Sequence, residues 1–365
     1  MSRLPVAVVG VGHLGKEHAR IVAGLPGVEL VGVVDPHRPQ AEAVAQRCQT
    51  QAYTDYRALI GQIRGAVIAA PTAHHHAIAS DLLRAGVSLL IEKPMAATAE
   101  QAAELNQLAA NTGAIIQVGH IERFNPAFEE LQRRPLAPRY IHAERCGGFT
   151  GRSMDVGVVL DLMIHDIDLV LALAGAPVER VEAMGVALLG GNEDMAQARL
   201  FFSNGCVADI SSSRVHPEPR RSMQVFGAEG YAGIDFGKKK LTLMQPSEVL
   251  RSGQIDSRRL DPALAASLRT ELFSRFVETV DLDCSQHHRA DQLTRELEEF
   301  VHCVETAAQP RVDGLAGAAA LEVAQRVVDS LRWHRWDGQA EGTAGPNRLP
   351  AMQGRLFAPR SAEAA

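Results

Sequence analysis

Residues Leu4–His18 read LPVAVVGVGHLGKEH, and the fold class follows from them. Val6–Val9 is apolar, rich in β-branched residues and too short for a buried helix, which predicts a buried parallel strand. Gly10, Gly12 and Gly15 follow at the G-x-G-x-x-G spacing. The first allows a tight turn, the second lets the backbone approach a pyrophosphate, and the third lets the next helix pack against the strand. His13 and Leu14 lie within the same loop. The free N–H groups at the helix start, with the positive end of its dipole, suit a diphosphate. A second apolar run, Leu30–Val34, ends in Asp35, where a carboxylate would meet the adenosine ribose hydroxyls. Strand, glycine loop, helix and acid together predict a dinucleotide-binding Rossmann domain.

Asp35 would repel a 2′-phosphate, so NAD is expected over NADP. His37 and Arg38 are read as solvated turn residues rather than phosphate ligands. The chain has 365 residues, 46% of them hydrophobic and 22% charged, enough for two domains. A net charge of -6 offers no electrostatic reason to expect nucleic acid. The cysteines, at 48, 146, 206, 284 and 303, are scattered and form no C-x-x-C, as expected of reduced thiols in a cytoplasmic protein. No apolar stretch reaches membrane-spanning length, and the first strand begins too early for a cleaved signal.

The first half continues in a β-α rhythm. A helix over Lys16–Ala23 is expected to be capped by Gly24, followed by a helix at Ala41–Cys48 and a strand at Gly65–Ala70. That strand ends in Pro71-Thr72-Ala73-His74-His75-His76. Consecutive histidines point in different directions and have no acidic or thiol partner at ligand spacing, so no metal is expected. A helix over His75–Ala85 and a strand over Val87–Ile91 follow, the strand delivering Glu92-Lys93-Pro94. A lysine at a strand end above the cofactor crevice is placed for chemistry, and Pro94 fixes its backbone. After a helix over Thr98–Asn111 and a strand over Ala114–Val118, GHIERFNP (119–126) leaves the sheet. The Rossmann domain is therefore set at 1–122.

From 123 to 337 the pattern changes to alternating strands, Tyr140–Arg145 through Leu241–Met244, with turn signals at Ser203-Asn204-Gly205 and Ala228-Glu229-Gly230. This predicts an α/β domain with a mostly antiparallel open sheet, closed by helices over Gln292–Thr306 and Leu315–Trp333. Residues 338–365 are small, polar and rich in Gly and Pro, and are expected to be a disordered tail. One helix, Val158–Ala174, interrupts the strands. In it Asp161, His165 and Asp168 stand at i, i+4 and i+7, so a regular helix would put them on one face. A carboxylate one turn from a histidine can fix its tautomer and raise its basicity, as a general base requires, although a satisfied core histidine fits as well.

GVGHLG, the Pro71–His75 loop, Glu92-Lys93-Pro94 and GVVLDLMIHDIDL occur in the order seen in the glucose–fructose oxidoreductase / inositol dehydrogenase / MocA family. The chain resembles that family from about Val6 to Leu331. The resemblance implies a nicotinamide-dependent dehydrogenase of a sugar or cyclitol hydroxyl with Lys93, Asp161 and His165 in the catalytic positions. It also implies a homodimer or homotetramer. Within the family, GHIERFNP and DVGVVLDLMIHDIDL look most like members that oxidise the 3-hydroxyl of UDP-N-acetylglucosamine. Arg123 and Arg152 would then meet a diphosphate or sugar. An inositol or free-sugar dehydrogenase, a NAD-assisted glycosidase and a non-enzymatic NAD-binding regulator are the competing readings.

Overall fold

A computed structural model describes residues 3–150, 156–189, 192–253, 261–263, 265–266 and 276–334. Arg152 and the 338–365 tail lie outside the described residues. The chain divides into two compact units, one running to Phe124 and including Ala290–Arg326, the other comprising Asn125–Arg289 and the residues from Val327 on.

The first unit holds a six-stranded parallel sheet: β1 (Leu4–Val9), β2 (Val28–Val34), β3 (Gln51–Tyr53), β4 (Gly65–Ile68), β5 (Ser88–Glu92) and β6 (Ile116–Gly119). Its order is β3-β2-β1-β4-β5-β6. The sequence of strands reverses between β1 and β4, so the ligand crevice of such a sheet opens at the carboxyl ends of those two strands. The crossovers are α1 (Gly15–Gly24), α2 (Arg38–Cys48), α3 (Thr72–Arg84) and α4 (Ala99–Thr112). Val6, Val8, Val33, Val67 and Leu90 build one side of the core with Ala19 and Val22 of α1. Burial of both sheet faces explains why these strands read as continuous apolar runs.

Local details differ from expectation. Gly24 is the last residue of α1 and adopts no left-handed cap; the chain leaves through extended Leu25 and is stopped by Pro26. The third helix starts at Thr72, not His75, so Pro71 stands at its N-cap.

The second unit is built on an eight-stranded sheet of order β14-β13-β12-β11-β7-β10-β9-β8. Its strands are β7 (Pro138–Cys146), β8 (Val178–Val186), β9 (Met195–Phe202), β10 (Val207–Ser213), β11 (Arg220–Gly227), β12 (Gly230–Asp235), β13 (Lys240–Pro246) and β14 (Val277–Asp283). Every neighbouring pair is antiparallel except β7 with β10. Alternate residues, including Ile141, Ala143, Ala208, Ile210, Met223 and Val225, are buried, giving one packed face. Two further helices, α5 (Pro126–Gln132) and α6 (Ile164–Ala174), belong here.

The closing helices divide otherwise than at 123–337. Helix α7 (Gln292–Thr306) belongs to the first unit, and α8 (Gly314–Trp333) belongs to it as far as Arg326. The cause lies in the apolar stripe of α7: Leu297, Phe300, Val301 and Val304 complete the core around Val6, Val8 and Leu90.

Candidate active site

In the first unit the three glycines have separable jobs. Gly10 has φ +85°, and a β-carbon there would lie 2.5 Å from the backbone nitrogen of Ala70, at the end of β4. A β-carbon on Gly15 would fall on the carbonyl oxygen of Gly10. Around Gly12 there is open space, with nothing within 4 Å of a β-carbon. Two glycines thus close the turn, and the third keeps its exposed face clear beside the start of α1, where backbone N–H groups face outward. His13 and Leu14 are exposed on this loop. The arrangement fits a dinucleotide diphosphate.

Asp35 is buried at the end of β2. Its Oδ2 accepts from Val11 N–H at 3.1 Å and from the Gln40 amide at 3.0 Å, and its Oδ1 accepts from His37 N–H at 2.9 Å. The carboxylate is therefore tied to the glycine loop, and Oδ1 keeps a lone pair for a ribose hydroxyl. Arg38 is engaged with Glu42 at 2.8 Å on the exposed side of α2. NAD should bind more tightly than NADP, and Asp35→Ser should weaken NAD roughly tenfold or more, the scale of a lost charged hydrogen bond. Titration of both cofactors into wild type and variant checks this; wild type that prefers NADP would overturn it.

The three histidines after β4 take three directions. His74 is exposed, and His76 reaches Glu104 at 2.8 Å. His75 is buried, its ring nitrogens 2.7 Å from the Ala70 carbonyl and 2.9 Å from the Pro94 carbonyl. Burial pushes its pKa down against the pull of both carbonyls. A neutral ring donates to only one of them, tying α3 either to the end of β4 or to the Lys93-Pro94 turn, whose peptide bond is cis. Lys93 is half-buried there. Beneath it Glu92 Oε1 meets His18 Nε2 at 2.7 Å, while Oε2 accepts from the Lys93 N–H at 3.3 Å. Arg123 is buried on the turn Ile121–Phe124, and its carbonyl accepts from Arg311 at 3.2 Å.

In the second unit the interrupting helix is not regular. Val159–Met163 forms a π turn, closed by the Ile164 N–H to the Val159 carbonyl, before α6 begins. The extra residue in the turn changes the step from Asp161 to His165, whereas His165 and Asp168 both lie in regular α6, three residues apart. Asp161 and His165 are half-buried, whereas Asp168 is 1% exposed and faces the interior. The relation the sequence predicts is therefore kept from His165 to Asp168 and altered between Asp161 and His165.

Four residues that sequence reading passed over hold this turn. Glu193 accepts from Val158 N–H through its carbonyl at 2.9 Å and from Val159 N–H through Oε1 at 3.1 Å. Burial pushes the Glu193 carboxyl up. A β-carbon on Gly157 would strike that carboxyl, which accounts for the glycine. Arg214 pairs with buried Asp194 at 2.7 Å and donates to the Val156 carbonyl at 2.9 Å. On the other side of His165, Asp166 receives both arms of Arg145 from β7, at 2.9 and 2.8 Å. Their only sequence signal was charge inside strands or beside turn residues.

A parallel sheet with a glycine loop at its switch point, a buried acid at the end of the second strand and a lysine at a neighbouring strand end fits an NAD-binding oxidoreductase unit. Residues 4–120 match the oxidoreductase family with NAD-binding Rossmann fold, and residues 133–232 match the GFO/IDH/MocA C-terminal domain. The chain is 35% identical over 328 residues to UDP-N-acetylglucosamine 3-dehydrogenase of Acidithiobacillus ferrooxidans, covering 90% of this chain and 97% of that protein. It is 28% identical over 347 residues to the NAD-dependent scyllo-inositol 2-dehydrogenase of Bacillus subtilis, covering 89% and 93% of the two chains. A solved structure of the Acidithiobacillus enzyme superposes with a TM-score of 0.78 at 33% identity, covering 90% of this chain and 98% of that one. The chain belongs to the GFO/IDH/MocA oxidoreductase family, and its cofactor is NAD. No described helix is long and apolar enough to cross a membrane.

Proposed function

We propose that this protein oxidises the 3-hydroxyl of UDP-N-acetylglucosamine, with NAD as hydride acceptor. The observation that carries the reading is the 35% identity that spans 97% of an enzyme with that activity. His165 takes the hydroxyl proton as the hydride leaves the same carbon. Asp161, on the π turn, orients His165 and stabilises its charged form. Lys93 polarises the hydroxyl and relays the proton. Arg123 and Arg152 are assigned to the substrate's diphosphate and sugar. The protein's part is geometry and electrostatics, and bound NAD supplies the redox chemistry.

The test is a panel of nucleotide sugars, free inositols and chromogenic glycosides, read by NADH formation and by glycoside cleavage. NADH formed with UDP-N-acetylglucosamine supports the reading. NADH formed with scyllo-inositol alone would move the assignment to the activity of the 28% identical relative. Cleavage without net NADH would make the protein a glycosidase.

We also infer a cytoplasmic homodimer or homotetramer. The five cysteines are all unpaired thiols. The solvent side of the second sheet carries an aromatic row, Tyr140–Phe226–Tyr231, with ring centroids 5.9 and 5.0 Å apart and Phe226 40% exposed. A second copy would cover this row. Mass measurement by light scattering checks the assembly, and a monomer would refute it.

A further inference from the structure

Beneath the Lys93 turn the first unit buries more ionisable groups than the assigned chemistry uses. Helix α7 brings Glu296 to the sheet, 0% exposed. The Gln117 amide of β6 donates to the Glu296 carbonyl at 2.9 Å. Both Glu296 carboxyl oxygens, and Oε1 of Gln117, are buried with no hydrogen-bond partner among the described residues. On the strand register Gln117 lies opposite Leu90, and Gly119 opposite Glu92. Glu92 and Gln117 therefore point to the same face of the sheet, the one α7 covers through Leu297 and Phe300. Glu92 lies flat across Gly119, where a β-carbon would come within 2.9 Å of Oε2.

A carboxylate sealed from water without a donor is too costly to stay ionised, and a second negative group nearby raises the cost. Glu92 has donors for both oxygens, His18 and the Lys93 N–H, and Glu296 has none. We propose that Glu296 is a neutral carboxylic acid that leaves the negative charge beneath the Lys93 turn on Glu92. It thereby acts as a positioning residue for the Lys93 turn. Burial, with Glu92 and then Glu299 adding like charge, pushes the Glu296 carboxyl well above its ordinary value of 4.5. The other ionisable groups on the elements against α7 include buried His18 on α1, buried His120 after β6, Glu122 and Arg123 on the turn that follows, and Arg64 before β4, which donates to the Val304 carbonyl at 3.3 Å. On α7 itself, Arg295 donates to the Phe124 carbonyl and Glu299 is paired with Arg311 at 3.0 Å. Among the described residues neither oxygen of the Glu296 carboxyl has a cation as a hydrogen-bond partner to hold it ionised.

The sign of the linkage follows. A carboxyl whose folded pKa is raised gives stability that is complete below 4.5 and lost as pH rises through the folded value. Glu296→Gln keeps the shape and a donor but cannot ionise. Wild type and Glu296→Gln should melt alike near pH 4.5, and wild type should fall progressively behind as pH rises. Parallel melting across the whole range would overturn the neutral acid.

The positioning half rests on the role proposed for Lys93, so it has its own readout. Glu296→Leu, neutral but without a donor, should lower kcat roughly tenfold or more, the scale of a misplaced catalytic group, with KM for NAD little changed. Glu296→Gln should restore most of that loss and remove a decline of kcat at high pH that wild type shows. Superimposable kcat–pH profiles for wild type and Glu296→Gln would overturn the positioning role even if the melting series diverge. Lys93→Met, run in parallel, separates the two readings: it should abolish turnover and leave the pH dependence of melting intact. Should it retain turnover, the fault lies in the role given to Lys93 and not in the charge state of Glu296.

Discussion

His165→Ala should bind NAD as wild type does and turn over ~10²–10⁴-fold more slowly, a loss of roughly 3–5 kcal/mol of transition-state stabilisation. The glycine loop, the start of α1 and Asp35 all belong to the first unit, and His165 belongs to the second. The substitution leaves in place the groups assigned to the cofactor's diphosphate and ribose. The side chain is half-buried at the start of α6, so truncating it opens no sealed cavity of the kind that costs a core several kcal/mol. Asp161→Asn should cost less, because it keeps the size of the group that orients His165 and removes only its charge. The losses should not add, since the residues act as a unit. NAD affinity, melting temperature and turnover measured on one preparation decide the matter. If activity merely tracks the folded fraction, His165 is a structural residue. If the variant is stable, binds NAD and turns over normally, Lys93 becomes the proton acceptor.

The parts of this protein that sequence revealed are those written in short-range periodicity. Val6–Val9, the glycine spacing and Asp35 are local signals, and each strand of the parallel sheet is an apolar run because both its faces are covered. The antiparallel sheet announced itself through alternation and turns. What stayed hidden depends on partners far along the chain or on irregular backbone. Nothing local marks Val159–Met163 as a π turn, so Asp161 was set one regular helical turn before His165. Glu296 sits in the run RELEEF, which reads as a solvated helix surface; only packing against Gln117 shows that it is sealed inside. Strand β14 was missed because VETVDLD is charged and largely exposed, as sheet edges are. Helix α5 was legible in principle: Asn125 caps it by accepting from Ala127 N–H at 3.1 Å, and Pro126 opens its first turn. The closing helices were given to the second unit by chain order, whereas burial of Phe300 against β1 and β4 decides where α7 folds.

Arg145→Ala should destabilise the protein by about 3–5 kcal/mol, the usual cost of leaving one partner of a buried ion pair behind. Arg145 and Asp166 have side chains 5% and 1% exposed, joined by two parallel contacts in the fork geometry that guanidinium and carboxylate share. The pair fastens the first turn of α6 to β7, one residue past His165, so the damage should reach the chemistry as well as the fold. Turnover per folded molecule should drop even at a temperature where the variant remains native, because His165 then rides on a helix end that has lost its anchor. Asp166→Asn should be milder than Arg145→Ala, since the amide carbonyl still accepts one arm and the charge left on Arg145 lies over the Phe236 ring at 5.8 Å. Replacing both residues, Arg145→Met with Asp166→Leu, removes both charges and should recover much of the stability lost by Arg145→Ala alone. It should not recover turnover, because two apolar side chains pack without the directional hold of the fork. Melting and turnover of the three variants, compared at equal folded fraction, test this. A double variant that regains both would show that the pair supplies only charge balance, and an Arg145→Ala protein that melts with wild type would show that Asp166 is not sealed from water.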